Sequence, residues 1–127
     1  MEKNSPRITK FSWFLGLLHR GQIWIFNRFD IPIEIAITDQ PIDSRNLTMI
    51  KTYGLLRLTK AAIFYLPSFT NINKEIFHKH YLTSNQRQVY VTVLLMNQDQ
   101  TFSILFENEV IHSAHSMYVE PNHLINI

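Results

Sequence analysis

Residues 29–38 read F-D-I-P-I-E-I-A-I-T, with isoleucine at 31, 33, 35 and 37 and Pro32, Glu34, Ala36 and Thr38 between them. Successive side chains of a strand point to opposite faces, so this two-residue period predicts a strand whose isoleucines face a core and whose Glu34 and Thr38 face away from it. Pro32 lacks an N–H, which marks either an edge position or the place where pairing breaks off. Upstream, residues 23–38 read as one long strand or as two with a bend near Asn27 to Asp30, and Gln40-Pro41 ends the run.

Further along, Q-V-Y-V-T-V-L-L-M at 88–96 is rich in β-branched residues and apolar on both faces toward its end. T-F-S-I-L-F at 101–106 alternates through Phe102, Ile104 and Phe106, and N-Q-D-Q at 97–100 is a four-residue turn. Together they predict a β-hairpin over residues 88–106. Helical signals lie between these strands. Asp43 or Ser44 offers an N-cap, Leu47 and Ile50 share one face, and Gly54 is a C-terminal stop, which predicts a short helix from Arg45 to Tyr53. Residues 55–66 (L-L-R-L-T-K-A-A-I-F-Y-L) suit a strand and a helix equally, and Pro67 ends them either way. Lys74 to Tyr81 reads as one or two helical turns, and Val110 to Val119 as one more strand or a short helix.

The fold class expected from this order is a single α+β domain, a mainly antiparallel sheet packed against one or two short helices. Its parts are a basic and aromatic arm over residues 1–22, a core over 23–106, and a terminal strand or helix with a loose tail over 107–127.

The chain has 127 residues, 46% hydrophobic and 17% charged, which is one domain's worth of core with little charge to spare. No cysteine is present, so disulfides, thiolate metal sites and thiol nucleophiles are excluded. Residues 1–66 carry nine Lys/Arg against five Asp/Glu, and residues 67–127 carry three against five. A basic first half suits an anionic partner, although a difference of this size is also ordinary for a protein surface. The apolar run F-S-W-F-L-G-L-L at 11–18 is far shorter than the roughly 20 residues of a membrane-spanning helix, and no small-x-small cleavage site follows it. The expected location is therefore intracellular, in the cytoplasm or against a membrane, and not secreted.

Chemistry-bearing motifs are sparse. Six histidines include His78-x-His80 and His112-x-x-His115, the first pair on one side of a strand and the second on one side of a helix, but neither spacing by itself defines a zinc site. There is no G-x-S-x-G turn and no phosphate-cradling glycine loop, and Glu107 and Glu109 read as a solubilising strand edge. No enzyme, metal or cofactor is expected from this pattern. Binding has more behind it. Lys3, Arg7 and Lys10, followed by Phe11, Trp13 and Phe14 and then Arg20, form a basic and aromatic arm suited to an anionic lipid surface. The same aromatics would equally serve by packing onto the domain. Ile31 and Ile33, on one predicted edge strand, and Phe102 and Ile104, on another, are the expected self-association residues.

The order of elements from Ile23 to Phe106 carries a resemblance. A strand, a Pro-bounded turn at Gln40-Pro41, a short helix ending in Tyr53-Gly54, an apolar segment ending at Leu66-Pro67-Ser68, a polar gap and the strand from Val89 to Met96 follow one another. This order resembles the folded core of rhabdovirus matrix proteins. The resemblance implies a small virion protein that self-associates, binds the inner face of a membrane through the basic arm, and condenses a viral ribonucleoprotein or RNA. The chain departs from those proteins in being shorter, in having few lysines in its arm, and in lacking P-P-x-Y and P-T/S-A-P motifs. The expected function is a non-enzymatic, matrix-like assembly protein without a small-molecule substrate. The alternative is a small intracellular ligand-binding or regulatory module.

Overall fold

The computed structural model describes residues 6–10, 12, 20–42, 62–69 and 74–120. They form eight strands: β1 (Arg7–Lys10), β2 (Gln22–Asn27), β3 (Ile33–Thr38), β4 (Ala62–Leu66), β5 (Ile76–Tyr81), β6 (Gln88–Met96), β7 (Phe102–His112) and β8 (His115–Val119). One sheet has the order β1-β8-β2-β5 and the other β4-β3-β6-β7. All pairings are antiparallel except that of β2 with β8, which is parallel.

This is a β-sandwich-like fold, which corrects the α+β expectation: no helix occurs among the described residues. The expected helix at 45–53 and residues 55–61 lie outside the described residues, while 62–66 is strand β4. Residues 74–81, expected as helical turns, contain β5. Its side chains alternate, with Phe77, Lys79 and Tyr81 exposed and Ile76, His78 and His80 turned inward, a period that a helix cannot produce. Residues 110–119 hold the end of β7 and all of β8, separated by Ser113-Ala114, where Ala114 adopts φ 63° to turn the corner between sheets. Among the described residues, no helix is long and apolar enough to cross a membrane.

Residues 23–38 divide into two strands, with the break falling at Arg28 to Pro32. The strands lie in different sheets, so the break is one of the crossovers between them. It is held by Asn27, which is fully buried. The Asn27 amide nitrogen donates to the carbonyls of Ile31 (3.2 Å) and Pro67 (2.9 Å), and its oxygen accepts from the Phe29 N–H at 3.0 Å.

The isoleucines at 33, 35 and 37 do face the core, where they meet Ile23, Ile25 and Met117 from the first sheet and Val91 and Val93 from their own. The hairpin expected over 88–106 is β6 with β7. On the opposite face of the second sheet, Ala36 and Leu94 are also fully buried, with Ile42, Ile63, Phe102 and Ile104 packed around them. That sheet is covered on both faces near its middle.

The edge assignments need correction at β3. This strand pairs with β4 on one side and β6 on the other, and Ile33 is fully buried, so Ile33 is not available to pair with a second molecule. Ile31 precedes the strand and lines an open groove of about 430 Å³ with Met96, Asn97, Gln98 and Asp99. Strand β7, which carries Phe102 and Ile104, is an outer strand of its sheet among the described residues. Its register with β6 shifts twice, between Val91 and Val93 and between Val93 and Leu94. At the first shift Asn108 takes φ 55°, its N–H donates to Thr92 Oγ1 at 3.1 Å, and its side chain bonds both the N–H and the carbonyl of Ile42. Bulges of this kind twist an edge away from further pairing. The Phe102 and Ile104 side chains meanwhile pack on Ala36 and Leu94.

Candidate functional site

The outward face of the first sheet carries the most distinctive surface of the described residues. The strict alternation in β2 sends Ile23, Ile25 and Asn27 inward and leaves Trp24 and Phe26 outside. Register then aligns the outer residues across strands: Arg7 opposite Tyr118, Tyr118 opposite Phe26, and Phe26 opposite Phe77. Neighbouring strands lie about 4.8 Å apart, so rings placed opposite one another stack. The Tyr118 and Phe26 centroids are 4.9 Å apart with planes at 9°, and Phe26 and Phe77 are 5.5 Å apart. Trp24 joins the row, 5.4 Å from Phe77 with planes at 11°. Each stacked pair adds about 0.5–1.5 kcal/mol beyond its burial, so the row stiffens the sheet as well as shaping its surface.

Cations frame this row. The Arg7 and Arg28 guanidiniums stand 4.0 and 4.5 Å from the Tyr118 ring centre, and the Lys79 ammonium is 5.4 Å from Tyr81 and 5.8 Å from Trp24. Glu120 and Glu75 compensate the arginines, at 2.9 Å to Arg7 and 2.7 Å to Arg28. The hydrogen bond to Glu120 further favours the charged form of Arg7. Lys79 has no ion pair among the described residues. The row is most open at the β5 end, where Phe77 is 46% and Tyr81 62% exposed.

Of the residues expected to touch membrane, Lys3, Phe11, Trp13 and Phe14 lie outside the described residues. Arg7 and Lys10 belong to β1, paired along its length with β8, so this part of the expected arm is a strand of the sandwich. The side chain of Arg7 is engaged by Glu120 and Tyr118, whereas Lys10 and Arg20 are exposed.

His78 and His80 fall on the inner side of β5, whereas His112 at the end of β7 is exposed. His78 and His80 of β5 have ring centroids 6.0 Å apart, and the Phe64 ring stacks on His78 at 3.7 Å. His112 and His115 sit on either side of the β7–β8 corner, 5.8 Å apart. Ile23 stands in register between His80 and His115, separating the pairs by two strand spacings. Among the described residues, no group of three or more His, Asp or Glu side chains is arranged to hold a metal.

His78 Nε2 is buried with no hydrogen-bond partner among the described residues. Burial, with a contribution from the charge of His80, pushes the His78 imidazole below its ordinary value of 6.5, and burial does the same to His80. Both are therefore neutral in the folded protein at neutral pH. An unfolded chain takes up these protons more readily than the folded one, so stability is complete above about pH 6.5 and falls as pH drops below it. Urea midpoints measured from pH 7.5 to 5.5 will decrease, and His78→Phe will flatten the decline; a wild-type midpoint constant over that range contradicts this reading.

Trp24, Phe26, Phe77 and Tyr118 were not singled out as site residues by sequence reading. A signal was present in W-I-F at 24–26, an aromatic pair two apart on an alternating strand, but its partners are distant in sequence. No family model, curated protein or solved structure matches this chain.

Proposed function

We propose that this protein is a small, non-enzymatic assembly protein that self-associates and contacts an anionic surface. The observation that carries the reading is the outer face of the first sheet, where a row of rings runs out to an exposed edge beside Lys79, which has no ion pair among the described residues. Exposed aromatic rings next to a cation suit contact with a partner far better than they suit water. Lys10 and Arg20 supply exposed positive charge for an anionic membrane. Contact with ribonucleoprotein, and a matrix-like place in a virion, are supported by the sequence resemblance only.

Flotation of the purified protein with phosphatidylserine-containing and with neutral vesicles tests the membrane part. The expected result is co-flotation with the anionic vesicles at low salt that weakens as the Debye length shrinks, and none with neutral vesicles. Failure to float with either composition overturns the membrane contact.

A further inference from the structure

From the chemistry of the β5 edge we infer that a second copy of this chain pairs there, antiparallel, with Phe77 opposite Phe77 across a two-fold axis. The inference rests on the self-association reading above and supplies the surface and the register. Leu82 donates its N–H to the Gly21 carbonyl at 2.8 Å, so the even-numbered residues of β5 aim their backbone groups at β2. Alternation then turns the backbone groups of Phe77, Lys79 and Tyr81 away from β2, and Glu75 directly precedes the strand. Among the described residues, β5 pairs with no other strand.

Charge selects the register. Odd-numbered residues must face odd-numbered residues for these groups to bond, which leaves a few alignments. Centring on Phe77 sets Lys79 opposite Glu75 of the other copy twice over, so that each Lys79 ammonium, without an ion pair among the described residues, meets a carboxylate that already holds Arg28. It also continues the ring row from one molecule into the next, covering the exposed side of Phe77. Centring on Lys79 brings two like charges directly opposite, and the intermediate alignment sets Lys79 against Phe77. A lysine in the middle of an edge strand normally blocks pairing. Here it blocks the wrong registers and admits one. The product is an isologous dimer with a continuous eight-stranded sheet.

Absence of native cysteine makes the test direct. Single-cysteine variants Phe77→Cys, Lys79→Cys and Tyr81→Cys are treated with a short thiol cross-linker after thermal melts show that each is folded. In the Phe77-centred register, the two copies of residue 77 have Cα atoms about 5.5 Å apart. The copies of residue 79 are offset by four residues, about 13 Å along the strand, and those of residue 81 by twice that. Cross-linking is expected at 77 and not at 79 or 81. Sedimentation velocity with Phe77 intact supplies the second readout: Lys79→Glu weakens the dimer about tenfold or more.

A cross-linking maximum at 79 overturns the register. A wild-type dimer that K79E leaves unchanged, with no cross-link at 77, overturns the edge while self-association stands. A wild-type protein that sediments as a monomer at every concentration overturns both.

Discussion

Replacing Asn27 with Ala will lower the unfolding free energy by about 3 kcal/mol, the sum expected when three hydrogen bonds at a buried amide lose one partner. The side chain is fully buried and bonds Phe29, Ile31 and Pro67 at once. Its truncation strands two carbonyls and one N–H where the chain passes from β2 in one sheet to β3 in the other. Asn27→Asp distinguishes hydrogen bonding from shape. An aspartate still accepts from the Phe29 N–H, but it has no proton for either carbonyl and is charged, so it will cost at least as much as the alanine. Urea denaturation with an unchanged m-value measures both effects. A loss below about 1 kcal/mol for Asn27→Ala would mean that the crossover is held by something else.

Leu94→Ala is expected to cost about 3 kcal/mol, although Leu94 lies on the face of the second sheet that points away from the sandwich core. An apolar side chain on a solvated face loses almost nothing on truncation. Leu94 has no exposed surface and packs with Ala36, Ile63 and Ile104, so removing it leaves a cavity. The comparison within one strand is informative. Val93→Ala probes the main core and Leu94→Ala the second cluster; destabilisation of both by more than 1.5 kcal/mol shows that the sheet is buried on two sides. A negligible effect at Leu94 alone would show that its outer face is open to water.

Much of the second sheet was legible in the sequence, and most of the first was not. Alternation is a local property, so the isoleucines of β3 and the β6–β7 hairpin could be read directly. Sheet membership is not local. Pro32 marks either an edge or a break in pairing; it lies one residue before β3, where pairing begins, so its missing N–H never falls within the ladder, and the strand itself sits between β4 and β6. Nothing within residues 31–37 records those neighbours.

In β5 the inward positions after Ile76 are histidines, whose intermediate polarity hid the two-residue period and let I-F-H-K-H-Y pass as helical turns. Asn27 reads as an ordinary turn residue, and only the meeting of Ile31 and Pro67 around it gives it a structural role. The candidate site was hidden for the same reason. Its rings come from β2, β5 and β8, spread over residues 24 to 118, and become one row only through register.

Residue-resolved amide hydrogen exchange at two protein concentrations tests the edge-pairing β-sandwich. Slow exchange at both concentrations is expected for the interior strands, at Ile25, Ile35 and Val93 among others. For the outward amides of Phe77 and Lys79, protection at high concentration that disappears on dilution is expected. Fast exchange at Ile35 or Val93, or exchange at Phe77 and Lys79 that is independent of concentration, would contradict an edge-pairing β-sandwich.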